Sequence, residues 1–389
     1  MKIALLRALP DPGRFSMDLY ADELAKALRP YLRAEDSLIC FPDSFQPLSR
    51  QIDLETFGGK LKRYWQQYWE YGRALRRLDA DIYHILDHGY AHLIPFLPEK
   101  KFIVTFHDAL LPSMAEKKIP VSKRPWKAIW AQRYSLKCLG NAGAVIADSE
   151  FSKKELLRYC PFPIEKAHVV YPGVNPIFFQ PADPQAILKF RYKWNLEGSQ
   201  TLVISGRTDP HKNMEGAFRV ASQLRAIGLP IVLIKIGSAF TPEQQVLIQK
   251  LQLGPFVREI GCLMNEELPL VYQSSDALLF LSWYEGFGFP ALEAMASGIP
   301  VIVSNRGSLP EIVREAGKVV NPENIQETLQ DLRNMLTSPS MRDSLVRKGR
   351  ERAALFSWQQ TAACVLNVYH EVYNKRIEQA KGVSHAATA

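Results

Sequence analysis

The stretch ALLFLSWYEGFGFPALEAMASGIPVIV, residues 277–303, carries strand, loop and helix signals in immediate succession. ALLFL (277–281) and IPVIV (299–303) are short apolar runs without polar alternation. That pattern fits strands buried on both faces of a parallel sheet. Between them Gly286, Gly288 and Pro290 argue against one continuous helix. Pro290 is instead placed to open a helix, since its missing N–H costs nothing there. A strand, a crossover helix and a second strand make a βαβ unit.

The same alternation runs the length of the chain. In the first half the apolar runs are 2–6, 37–41, 82–86, 101–106, 143–148 and 167–171. In the second half they are 201–205, 231–236, 256–260, 277–281, 299–303 and 317–320. Amphipathic stretches such as MDLYADELAKAL and EGAFRVASQLRAI lie between them. The series breaks at YPGVNPIFFQPADP (171–184), where Pro and Gly cluster. The expected fold class is therefore α/β, with two Rossmann-like doubly wound parallel-sheet domains facing across a cleft. The expected boundaries are 1–174 for an acceptor-binding domain, 175–360 for a donor-binding domain, and 361–389 for a helix crossing back with a flexible tail.

Bulk properties narrow the class further. With 389 residues, 47% hydrophobic and 23% charged, the chain is expected to be globular and to hold two cores. No apolar stretch reaches bilayer-spanning length, and the opening MKIALLRALP reads as a first strand rather than a leader. Five scattered cysteines without a CxxC argue against a disulfide framework or a zinc site, and for a cytoplasmic location. The net charge of +8 is uneven: residues 1–174 hold 26 Lys and Arg against 20 Asp and Glu, residues 175–389 hold 22 against 20. No GxGxxG follows the first strand and no GxxxxGK[ST] occurs, which weighs against dinucleotide and P-loop sites.

Glu285 and Glu293 are the carboxylates that could act in the opening stretch. On a continuous helix they would stand roughly 12 Å apart along the axis and about 80° around it. Glycosidase pairs need about 5–5.5 Å or about 6.5–9.5 Å, so a shared hydrolytic role is disfavoured. Glu285 is expected at a strand's carboxyl end. Glu293 is expected in the first turn of the next helix, where it could merely offset the dipole. Gly286, Phe287 and Gly288 would let backbone N–H groups approach an anion or a sugar hydroxyl. Gly206, Arg207 and Lys212 follow the strand TLVIS and suit a diphosphate, with two cations where the leaving charge develops. His107 follows KFIVTF at another strand end.

EGFGFPALEAMASGIPVI resembles the E-x7-E signature of the family 4 retaining glycosyltransferases of GT-B fold, of bacterial polysaccharide or glycolipid type. GRTDPHKN (206–213), VVYPGVN (169–175), ADSEFSKKEL (147–156), TFHDALLP (105–112) and FSWQQTAACVLNVYHEVY (356–373) resemble further family segments, over nearly the whole chain. The resemblance implies transfer of a hexose, mannose or glucose, from a GDP- or UDP-sugar to a glycan or lipid-linked acceptor. It implies no metal and no other cofactor. It places His107 and Glu285 on the donor sugar, Arg207 and Lys212 on the diphosphate, and Glu293 on the ribose. Backbone around Gly261 and Leu263 would meet the base. Gly13 stands where the family carries a glycine pair. Only one glycine is present, followed by Arg14, and Arg14, Asp18 and Tyr20 are assigned to the acceptor.

Two stretches of the first half mix bases with aromatics, KLKRYWQQYWEYGRALRR (60–77) and KKIPVSKRPWKAIWAQRYSLK (117–137). They read either as amphipathic helices over a buried stripe or as a peripheral dock on the inner, anionic face of a membrane. Nothing supports a nucleic-acid partner. Two other classes compete with a transferase: a non-catalytic sugar-nucleotide-binding subunit of a polysaccharide assembly complex, and a GT-B-fold epimerase or phosphorylase.

Overall fold

The structure, a computed structural model, describes residues 1–9, 15–42, 62–97, 102–116, 119 and 126–386. These divide into two compact units. Of the described residues, one holds Met1–Ala115, 126–173 and the terminal helix from Trp358; the other holds Glu116, Ile119 and Val174–Ser357. The chain thus passes from one to the other inside the Pro/Gly-rich junction.

The first unit carries strands β1 (Lys2–Leu6), β2 (Ser37–Phe41), β3 (Ile82–Ile85), β4 (Phe102–Phe106), β5 (Ala144–Ala147) and β6 (Ala167–Val169). They form one sheet in the order β2-β1-β3-β4-β5-β6, parallel at every pairing. Every residue of β3, β4 and β5 is buried. That burial explains why their sequences are apolar without alternation. The core includes Leu6, Tyr83, Val104, Phe106, Val145 and Leu156. Helix Trp358–Ala386 packs on helix Phe15–Leu28 and sends Tyr369 against β3, where its hydroxyl meets His84 Nδ1 at 2.7 Å.

The second unit carries β7 (Gln200–Ser205), β8 (Ile231–Ile236), β9 (Val257–Gly261), β10 (Ala277–Phe280), β11 (Val301–Ser304) and β12 (Lys318–Val320). Its order is β12-β11-β10-β7-β8-β9, again all parallel. The chain runs outward from β7 to β9, then returns to β10 on the opposite side of β7. The order therefore reverses between β7 and β10, and loops leaving two such strands diverge to leave a crevice. Arg207 and Lys212 follow β7, and Glu285 follows β10.

The twelve apolar runs all form strands, with ends shifted by no more than a few residues. One helix start needs correction. The helix after β10 spans Phe289–Ala296, capped by Gly288 in the left-handed region (φ 104°), so Pro290 is not its first residue. Glu293 consequently falls beyond the first turn, and the dipole-offsetting role does not apply.

Candidate active site

Lys212 and Glu285 meet at the switch point of the second sheet. After β7 the chain turns through Gly206 and Arg207 into a short 3-10 turn, Pro210–Lys212. Asn213 then adopts a left-handed conformation (φ 52°), which Asn tolerates better than most residues. Its side chain caps helix Met214–Ala226, accepting from the Gly216 N–H, and donates to the Leu281 carbonyl at 2.9 Å. The Trp283 N–H donates to the His211 carbonyl at 2.7 Å. These bonds stitch the loop after β7 to the loop after β10, directly beside Lys212 and Glu285.

The Lys212 ammonium lies 2.7 and 3.0 Å from the two oxygens of Glu285. The side chains are 16% and 10% exposed, so the pair is mostly out of water yet reachable. Glu285 is held by its backbone as well. Its carbonyl accepts from the N–H of Ser308 at 3.1 Å and from its hydroxyl at 3.2 Å. Gly307 (φ 64°) makes this approach available: a Cβ there would stand 2.5 Å from the Glu285 carbonyl oxygen. The ring of Phe287 is buried edge-on to Phe289 and Phe356, so it packs and leaves only backbone to the crevice. Arg207 is more exposed and pairs with Asp209 at 2.8 Å. His211, between the two cations in sequence, is pushed down to about 3 by burial and by Lys212 and Arg207, and stays neutral.

Glu293 is 8% exposed, and Oε2 accepts the Tyr272 hydroxyl at 3.0 Å. Burial pushes its carboxyl up to about 7, against the opposing effect of the Tyr272 hydrogen bond. The sequence reading missed Tyr272, which sits in the apolar helix Leu268–Gln273 and looks like a core residue there. Gly261 and Leu263 lie at and just after the end of β9, and the Gly261 carbonyl accepts from the Gly237 N–H at 2.9 Å.

In the first unit His107 follows β4 and is buried. Its Nδ1 faces Asp148 Oδ2 at 2.5 Å and its Nε2 faces the Leu86 carbonyl at 2.7 Å. Two acceptors suit an imidazolium that donates from both nitrogens. Burial works against that charge, but the Asp148 carboxylate outweighs it and raises His107 to about 9. Tyr20, assigned to the acceptor, is buried with its ring edge-on to His107 and Trp358. Asp18 lies in the first turn of helix Phe15–Leu28, partly exposed. Gly13 and Arg14 lie outside the described residues. Among the described residues, no group of three or more His, Cys, Asp or Glu could hold a metal ion. No helix among them is long and apolar enough to cross a membrane.

Two parallel doubly wound sheets of this kind recur in known proteins. Residues 19–177 match the model "Glycosyltransferase Family 4" and residues 187–352 match "Glycosyl transferases group 1". The chain belongs to the family 4 glycosyltransferases, and it is a retaining glycosyltransferase with the GT-B fold. It is 28% identical over 304 residues to the O-antigen chain mannosyltransferase B of Escherichia coli, covering 76% of each chain. It is 30% identical over 228 residues to the MMP alpha-(1->4)-mannosyltransferase of Mycolicibacterium hassiacum, spanning 57% of this chain and 53% of that one. Among solved structures, Anabaena HepE in complex with UDP and glucose superposes with a TM-score of 0.74 at 19% identity, over 95% of this chain and all of that one.

Proposed function

We propose that the protein transfers mannose from a nucleoside-diphosphate sugar, GDP-mannose first among the donors to test, to a hydroxyl of a lipid-linked glycan. The observation that carries this reading is the Lys212–Glu285 pair at the β7/β10 switch point. Arg207 and Lys212 bind the diphosphate, Glu285 takes the sugar hydroxyls, and Glu293 takes the ribose. Donor arrival breaks the internal pair: the phosphates claim Lys212, and the sugar hydroxyls replace it on Glu285. The bond from the anomeric carbon to the diphosphate breaks as the acceptor oxygen bonds on the same face. The acceptor's proton passes to the leaving diphosphate. Fixed cations stabilise the departing charge, so the step needs no metal. The mannosyltransferases among its relatives support the choice of sugar.

A thermal-shift screen over UDP, GDP and ADP tests the donor site. The cognate nucleotide raises the melting temperature by mass action, and R207A abolishes the rise. No shift with any of them would refute the donor assignment.

The lipid-linked acceptor brings the first unit to an anionic membrane face, which would place the protein in the cytoplasm as a peripheral protein. Helix Trp126–Leu139 exposes Trp126, Trp130 and Tyr134 at helical spacing among Lys127, Arg133 and Lys137, and contains no acidic residue. Residues 62–77 expose Tyr64 and the stacked pair Trp65 and Trp69, beside Arg73, Arg76 and Arg77. Tryptophan and tyrosine with basic neighbours suit the headgroup zone. Vesicle flotation should retain the protein on phosphatidylglycerol but not on phosphatidylcholine, and W126A/W130A should release it. Equal behaviour on both lipids would end this reading.

A further inference from the structure

Lys235 sits inside β8, where all six residues of Ile231–Ile236 are buried, and is itself 1% exposed. A buried ammonium is costly unless each N–H finds an acceptor. Here three carbonyls supply that: Gly206 at 2.6 Å, Ile236 at 2.8 Å and Ser238 at 3.1 Å. An ammonium has three protons to donate, which matches the three acceptors. The carbonyls belong to the carboxyl ends of β7 and β8, the loops that deliver the phosphate-site residues. Both strand ends are tied together independently. The Gly206 N–H donates to the Ile236 carbonyl at 3.0 Å, and a Cβ on Gly237 would lie 2.3 Å from the Gly206 carbonyl oxygen. Lys212 packs on the same peptide from another side, its Cε 3.5 Å from where a Gly206 Cβ would stand.

Carbonyl oxygens at strand ends would otherwise repel an incoming diphosphate. We propose that Lys235 is a positioning residue of the donor site: it gathers the carbonyls of Gly206, Ile236 and Ser238 and sets a buried positive charge behind Arg207 and Lys212. This rests on the assignment of Gly206, Arg207 and Lys212 to the diphosphate. The titratable groups around Lys235 are Cys262 and Glu259 from the β9 side and Lys212 from the loop after β7, with the Phe240 ring 5.9 Å from the ammonium. Burial pushes Lys235 down to about 8, with Cys262 and Glu259 opposing and Lys212 reinforcing. Bound diphosphate favours the charged form, so nucleotide binding above neutrality should take up protons.

Calorimetric titration of GDP and UDP into the full chain tests this. For the nucleotide that binds, wild-type affinity should fall roughly five- to tenfold between about pH 7.5 and about pH 9 as Lys235 loses its proton. K235M, checked for folding by circular dichroism, should bind about tenfold more weakly near neutrality and lack the alkaline decline, an effect that mere loss of packing would not produce. A folded K235M that binds within about twofold of wild type, or keeps the same decline, would overturn the inference. Where K235M does not fold, the wild-type protein decides: titrations in two buffers of different ionisation enthalpy should show proton uptake near pH 8, and none would overturn it. If neither nucleotide binds the wild-type protein at neutral pH, the donor reading falls first and this inference with it.

Discussion

The two units use similar sheets to hold charge in opposite ways. In the second unit Lys212 and Glu285 ride on the loops after β7 and β10 and pair with each other. A ligand can replace each partner with a better one. In the first unit His107 spends both ring nitrogens on Asp148 and the Leu86 carbonyl, deep in the fold. A ligand there must displace an internal bond or use the backbone. An exchangeable pair suits a site that binds and releases anions, as proposed for Lys212 and Glu285; a locked imidazolium suits a fixed electrostatic background.

Breaking the exchangeable pair should have the largest effect. K212M leaves the Glu285 carboxylate without its partner, and the loss of one transition-state cation should lower the transfer rate on the order of a hundred- to a thousandfold. Removing one member of a mostly buried pair also costs about 3 kcal/mol of stability. K212M/E285Q should recover most of that stability in a urea melt and none of the activity. Recovery of activity would mean that the pair is structural.

Glu293 sharpens the contrast through pH. Its folded value, about 7, lies above the ordinary carboxylate value of 4.5, so the folded state holds a proton that the unfolded chain has released. Stability from this group is full below about pH 4.5 and lost as pH rises through about 7. E293Q should therefore be more stable than wild type at pH 8, by on the order of 2 kcal/mol, while binding the donor nucleotide about tenfold more weakly. Equal stability at pH 8 would contradict the buried carboxyl.

The locked pair has the same sign in a more alkaline window, with a different cause: pairing with Asp148 rather than burial. His107 stands at about 9, above the ordinary 6.5. Its contribution is complete below about pH 6.5 and fades as pH rises through about 9. D148N should cost about 3 kcal/mol at pH 6 and much less at pH 10, read by denaturant melts at each pH. The smallest effect on stability belongs to Arg207, half-exposed and paired at the surface. R207A should change it by less than about 1 kcal/mol while weakening nucleotide binding.

Much of the architecture was legible because buried parallel strands write themselves as short apolar runs, and all twelve were visible. The candidate side chains stand out wherever a charged residue follows such a run: Arg207 and Lys212 after β7, Glu285 after β10, His107 after β4. Three neighbours of those side chains were hidden by their surroundings. Lys235 reads as one polar letter in IVLIKI, and nothing local says that three carbonyls will converge on it. Tyr272 reads as helix core, and its hydroxyl partner lies 21 residues on. Asp148 precedes the true N-cap, Ser149, so it passes for capping chemistry although it pairs with a histidine 41 residues earlier. Long-range polar pairing leaves no periodic trace. The helix start at Phe289 was off because Gly288 caps through its own left-handed backbone, one residue ahead of the proline signal.

The most direct test of the division of labour compares GDP with GDP-mannose by calorimetry on wild type, K212M and E285Q. Lys212 on the phosphates and Glu285 on the sugar predict that K212M weakens both ligands by a similar factor. E285Q should weaken GDP-mannose alone, leaving GDP unchanged or tighter as Lys212 is freed. E285Q weakening both ligands equally, or K212M weakening neither, would contradict the account.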